Sequence, residues 1–272
     1  MGKGSKAAAT LEALTDIEFG KDVGEEELFT YPRFEELRTM LRVAVQQRAF
    51  SLVTGKAGIG KTTAVRSLIR ELPTSKYHVI YFGQDQDGTS LLRRFAQNLG
   101  LQPKYMRSQV PMQISQALSD SISEGGKEIV AVIDEAHLLD VRTLEEMRLL
   151  SNSEFDTRTA LSIILLGQQQ LRSHLKDPRL EALNQRLRYR FFLEGFSAEE
   201  TTAYIKHRVV AAGGAPDLFT DQAIRRIFDA SEGVPREINN LCALALLKAE
   251  MAGADNVDEK IVKQLVSQRE LS

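Results

Sequence analysis

The run Gly55-Lys56-Ala57-Gly58-Ile59-Gly60-Lys61-Thr62 stands between an apolar stretch, Phe50-Ser51-Leu52-Val53-Thr54, and a helix-like run from Thr62 to Leu72. No other feature of the chain limits its fold so tightly. A strand delivers the backbone to a glycine turn, the turn aims successive N–H groups at one point, and the helix N-terminus adds its dipole. The spacing fills every fixed position of the phosphate-binding P-loop. Lys61 is then placed to reach the β- and γ-phosphates of a nucleoside triphosphate, and the Thr62 hydroxyl to ligate Mg²⁺, with Thr63 beside it in the first helical turn.

A P-loop belongs to a parallel sheet with helical crossovers, and the next residues supply one. Candidate strands fall at 50–54, 77–82, 128–133, 161–166 and 189–193. Four of them are nearly continuous apolar runs, the pattern of strands buried on both faces. An amphipathic helix precedes the first, with Phe34, Leu37, Leu41 and Val45 at helical spacing, and further helices fit 89–98, 110–124, 141–150 and 178–187. After Gly195 the pattern is helical throughout: 197–212, 220–231, 235–252 and 257–268, with Ser197, Thr220 and Asp221 as caps and Pro235 in a first turn. The expected organisation is an arm at 1–27, a five-stranded α/β nucleotide-binding domain at 28–194 and a small helical domain at 195–272. With 272 residues and 43% hydrophobic content, one core and a small second domain are within reach.

The arm is acidic: Glu12, Asp16, Glu18, Asp22, Glu25, Glu26 and Glu27 face a single Lys21, so it reads as a flexible tail, with a partner contact as the other option. The lone Cys242 rules out a disulfide framework or a thiolate metal site. No stretch approaches the roughly 18 apolar residues of a membrane span, so a cytoplasmic protein without membrane contact is expected. A net charge of −2 disfavours non-specific nucleic-acid binding but leaves room for a local basic surface.

A second element matches the P-loop. Ile129-Val130-Ala131-Val132-Ile133-Asp134-Glu135 is an apolar strand ending in adjacent carboxylates, which would be costly there without a cation or donors. Asp134 can hold Mg²⁺ through water, and Glu135 can polarise the attacking water. Gln168, closing another buried strand, is placed to bond the γ-phosphate or that water. His137 reads as structural rather than as the base, and Gln84 as a restraint on Glu135 or a plain surface amide. The cluster Asn184-Gln185-Arg186-Leu187-Arg188-Tyr189-Arg190 suits an arginine finger given to a neighbouring copy, with Arg186 ahead of Arg188; a solvated edge is the alternative. Arg236, behind Pro235 in Gly233-Val234-Pro235-Arg236-Glu237, reads as a γ-phosphate sensor.

In this order the motifs resemble an AAA+ ATPase of the broad initiator type over residues 28–268. The stretches Val132–Leu139, Ile164–Gln168, Leu183–Leu187 and Gly233–Asn239 look most like the module shared by ExeA-like secretion proteins and by the transposon ATPases of the TnsC, TniB, MuB and IstB group. The resemblance implies ATP with Mg²⁺, Gln168 as first sensor, Arg236 as second, and rings or helical filaments with ATP between copies. For the transposon members it implies coating of duplex DNA in the ATP state, recruitment of a transposase, and release after hydrolysis. The loop Leu101–Gln109 lies where initiator-type proteins face DNA. Lys104 and Arg107 are then expected to pair with phosphates, and Ser108 and Gln109 to add hydrogen bonds, with an ordinary surface loop as the alternative. Secretion members usually carry a membrane span, so its lack here directs the expectation to ATP-dependent regulation of DNA transposition. A secretion-type ATPase that switches protein contacts without DNA is the alternative.

Overall fold

The computed structural model describes residues 28–83, 88–150 and 161–270. The acidic arm and Gln84 lie outside them. The described chain divides into two compact units, Pro32–Leu193 and a helical unit from Glu194 onward that also takes residues 28–31. The expected boundary at 28 therefore moves. The rings of Phe29 and Tyr31 pack on Phe196, with Phe29 also against Tyr204, and this aromatic burial ties the segment to the helical unit.

In the first unit the order is α1 (Pro32–Gln46), β1 (Phe50–Gly55), α2 (Lys61–Glu71), β2 (Tyr77–Phe82), α3 (Gly88–Asn98), α4 (Val110–Ser123), β3 (Glu128–Ile133), α5 (Val141–Leu149), β4 (Leu161–Gly167), α6 (Gln170–His174), α7 (Glu181–Arg186) and β5 (Leu187–Leu193). The five strands form one parallel sheet in the order β2-β3-β4-β1-β5. β1 and β4 are buried along their whole length and β3 at all but its first residue, whereas β2 and β5 are edges with exposed positions. One core gathers alternate residues Leu52, Ala131, Ile133, Ile163 and Leu165 with Leu91, Phe95, Ile114 and Met147 from α3, α4 and α5. Their neighbours Val53, Val130, Val132, Ile164 and Leu166 are buried as well, with Leu37, Leu41 and Leu68 of α1 and α2. Cover on both faces is what lets a parallel sheet stand without alternation.

The stretch expected as one helix at 178–187 is a 3-10 turn at Pro178–Leu180 followed by α7. The Asp177 carboxylate caps that turn by accepting from the Arg179 N–H at 2.9 Å. β5 consequently starts at Leu187, two residues before its expected start.

The helical unit contains α8 (Ala198–Ala211), α9 (Asp221–Ser231), α10 (Pro235–Met251) and α11 (Glu259–Glu270). Ser197 and Glu200 close a full capping box on α8, and the Thr220 hydroxyl accepts from Ala223 N on α9. Asp221 is the first helical residue rather than a cap. No helix among the described residues is long and apolar enough to cross a membrane.

Candidate functional site

The glycine turn is fixed by steric need at two points. Gly55 ends β1 in register with Leu193, and a Cβ there would meet the Leu193 carbonyl oxygen at 2.6 Å. Gly60 has φ 102, a conformation closed to side-chain-bearing residues, and it leads into α2 without a side-chain cap. The N–H groups at that helix start are donors of the kind that bind phosphate. Lys61 is buried, and its Nζ donates to the carbonyls of Gly55 at 3.1 Å and Lys56 at 3.0 Å. The ammonium thus lies inside the turn formed by residues 55–62, where positive charge and backbone donors converge.

Opposite stands the carboxyl end of β3. Asp134 Oδ2 accepts from the Thr62 hydroxyl at 2.7 Å and from the Tyr81 phenol at 2.7 Å, while Oδ1 accepts from Glu135 N at 2.8 Å. Partial burial, with the bond to Asp134 next, raises the Tyr81 phenol above its ordinary pKa. Thr62 and Asp134 are hard oxygen donors of the type Mg²⁺ takes in ones and twos beside phosphates. No cluster of three or more His, Cys, Asp or Glu suited to a metal occurs among the described residues, so a cage of protein ligands is not what the described site offers. The donor set therefore fits Mg²⁺ shared with a nucleotide.

Glu135 occupies the left-handed region at φ 52, ψ 35. Such backbone in a non-glycine residue costs about 1–3 kcal/mol and collects at sites where chemistry is done. Its Oε2 is buried, 3.3 Å from His137 Nδ1, and that nitrogen in turn accepts from Gln168 N at 3.4 Å. With Nδ1 serving as acceptor, Oε2 has no hydrogen to take, and a donor entering the site would satisfy it. Because β4 lies between β1 and β3 in the sheet, Gln168 follows a strand flanked by the strands that lead to the turn and to Asp134. The structure thus gathers Gly55, Lys61, Thr62, Asp134, Glu135 and Gln168 at one end of the sheet. Tyr81 was missed by sequence reasoning. Its only signal is a polar-tipped aromatic one residue before the end of β2.

The arginines separate. Arg186, at the end of α7, donates to the Arg148 carbonyl at 3.1 Å. Arg188 is exposed on β5, its guanidinium 5.8 Å from the centre of the Tyr189 ring. Arg190 is turned to the carbonyls of Leu187 and Asn184. In the helical unit, Arg236 is exposed in the first turn of α10. That turn is set by Gly233, whose φ is 70 and whose carbonyl accepts from Phe196 N at 2.8 Å.

In the 101–109 loop, Lys104, Ser108 and Gln109 are exposed, and Tyr105 is 94% exposed. Arg107 differs from them. Its guanidinium is bonded to both Glu146 oxygens, at 3.1 and 3.2 Å from Nε, and to the Thr143 hydroxyl at 3.0 Å. Arg142 joins the same carboxylate at 3.0 Å. Arg107 thus fastens the loop to α5.

The sequence profile of a family described as "AAA domain" matches residues 41–175. General secretion pathway protein A of Aeromonas hydrophila is 32% identical over 211 residues, covering 76% of this chain and 38% of that protein. The chain therefore spans well under half of this curated relative. Among solved structures, Cdc6p of Pyrobaculum aerophilum aligns with TM-score 0.68 at 14% identity, over 88% of this chain and 67% of that one. The ORC1 protein of Aeropyrum pernix, in complex with DNA, aligns with TM-score 0.63 at 16% identity, over 96% of this chain and 69% of that one. At such identities the structural likeness is one of fold.

Proposed function

Because the chain is an AAA-family ATPase, we propose that it uses ATP as an assembly switch: copies gather on duplex DNA with ATP bound and come apart after hydrolysis. In this reading the 55–62 turn and Lys61 hold the phosphates, and Thr62 with Asp134 hold Mg²⁺, which neutralises the phosphate oxygens when bound. Glu135 accepts a proton from the attacking water, Gln168 orients it, Arg236 senses the γ-phosphate, and Arg186 at the end of α7 or Arg188 on β5 acts on the neighbour's site in a ring or filament. The observation that carries the DNA reading is the exposed Lys104–Tyr105–Ser108–Gln109 loop on a fold shared with a DNA-bound ORC1. With Arg107 engaged by Glu146, each copy offers few phosphate contacts, so affinity sums over many copies. The regulatory setting we propose is DNA transposition, with a transposase as the recruited partner.

A second reading is favoured by the secretion-pathway relative: an ATPase whose nucleotide state switches protein contacts without DNA. Binding to random-sequence duplex with a non-hydrolysable ATP analogue, with ADP and with neither, over a salt series, decides between them. Cooperative, salt-sensitive binding in the analogue state alone is expected. Intact nucleotide binding with no duplex binding in any state would overturn the DNA reading in favour of the second.

A further inference from the structure

A carboxylate offers about four acceptor positions. Asp134 has three filled: the Thr62 and Tyr81 hydroxyls on Oδ2 and the Glu135 N–H on Oδ1. Two of these donors belong to the motifs themselves, one from the helix after the glycine turn and one from the next residue along. The third does not. Tyr81 comes from β2, an edge strand paired to β3 with Tyr81 opposite Val132 and Phe82 opposite Ile133. The Asp134 N–H is bonded to the Phe82 carbonyl at 2.8 Å, so the end of β2 holds Asp134 through its backbone as well as its side chain.

We propose that Tyr81 is a positioning residue for the divalent-cation shell: its phenol fixes the Asp134 carboxylate so that one acceptor position on Oδ1 is kept for the cation's hydration water. This rests on the reading of Thr62 and Asp134 as the cation-holding pair. Two hydroxyls from different elements fix Oδ2, whereas without the phenol the carboxylate would keep one side-chain donor, Thr62, and the Glu135 N–H on Oδ1, and would turn more freely. The ring is 41% exposed, so removal of the hydroxyl leaves no unfilled core. Outer-shell donors of this kind typically shift metal affinity about 10–100-fold. Solvent access to the phenol places the expected effect at the lower end.

The test compares wild type, Tyr81→Phe and Thr62→Val as full chains loaded with a non-hydrolysable ATP analogue, with Mn²⁺ as the probe and free Mn²⁺ read by electron paramagnetic resonance. Tyr81→Phe is expected to weaken Mn²⁺ binding about tenfold while leaving analogue affinity in chelator unchanged. In turnover it should shift the Mg²⁺ titration to higher concentration without lowering the saturated rate. The chain has no tryptophan, so tyrosine absorbance is unobscured. Cation addition to the loaded wild type should perturb that absorbance, and the perturbation should be missing in Tyr81→Phe. Equal Mn²⁺ affinity in wild type and Tyr81→Phe, with Thr62→Val weakened, would overturn the Tyr81 role alone. Equal affinity in all three would overturn the cation-pair reading beneath it as well.

Discussion

Asp134 and Arg236 both sit where an element meets a turn, but they are held there by different means. Asp134 ends a strand buried at all but its first residue, and its oxygens take bonds from β2, from α2 and from its own neighbour. Arg236 opens a helix whose start is set by one glycine turn and one backbone bond to Phe196, and its side chain is exposed. In the α/β unit, position comes from contacts distant in sequence. In the helical unit it comes from backbone turns and caps, joined by the backbone bond of Phe196 N–H to the Gly233 carbonyl. Substitutions at the side chains that hold Asp134 should therefore alter chemistry with the fold kept, and those at the turn before Arg236 should alter stability first.

The largest effect that sharpens this contrast is expected at the arginines where α7 runs into β5. Replacing the arginine proposed to reach a neighbour's site should cut turnover of the assembled protein about 10³-fold with nucleotide binding retained, as phosphate release from mixed assemblies would report. The exposure of Arg188 and the bond of Arg186 to the Arg148 carbonyl make the pair Arg186→Ala and Arg188→Ala the comparison to run. Normal turnover in both would place the finger elsewhere. Next comes Glu135→Gln, expected to slow hydrolysis at least about 100-fold while ATP binding persists; rapid turnover would remove Glu135 from the role of base.

Two glycines set the units against each other directly. A Cβ on Gly233 would lie 2.1 Å from the Phe196 carbonyl oxygen, and one on Gly55 would lie 2.6 Å from that of Leu193. Each alanine variant should lose about 1–3 kcal/mol by overpacking, seen in thermal unfolding. Gly55→Ala should also abolish nucleotide binding, since the turn itself moves. A Gly55→Ala protein that binds ATP normally would break the idea that β5 packing shapes the turn.

Smaller is the division within the 101–109 loop. Arg107→Ala should destabilise by about 1–3 kcal/mol, because Glu146 loses its charged partner and keeps only Arg142. Lys104→Ala should leave the melting temperature in place and lower the salt slope of duplex binding by about 1 per copy. The reverse pattern would make Arg107 the phosphate contact. The smallest effect is expected from Ser197→Ala, which removes the capping box of α8 at a cost of about 1 kcal/mol, read as a modest fall in thermal stability with the Lys61 site untouched.

The helices of the second unit were legible almost to the residue, because Ser197, Thr220 and Pro235 are local signals that act on their own turns. The strands were legible as apolar runs, and the glycine turn and the Asp134–Glu135 pair as motifs. Less was legible at 178–187, where Asp177 turned an expected helix into a capped 3-10 turn and a short helix. The partnership of Arg107 with Glu146 spans 39 residues and leaves no mark in the local pattern, so the loop's two cations looked alike when they are not.

By itself, then, the sequence determined the kinds of element, the glycine turn at 55–62 and the acidic strand end, since backbone φ requirements, helix caps and hydrophobic period all act over a few residues. Tertiary structure alone decided the rest. It inserted β4 between β1 and β3, which put the Gln168 N–H on the His137 ring that lies against Glu135, and it bent Arg107 inward. It also brought the Tyr81 phenol to a carboxylate 53 residues away in the chain. Pairings of that kind depend on which strands lie side by side and in what register, and that is settled by the burial of the whole sheet rather than by any one segment.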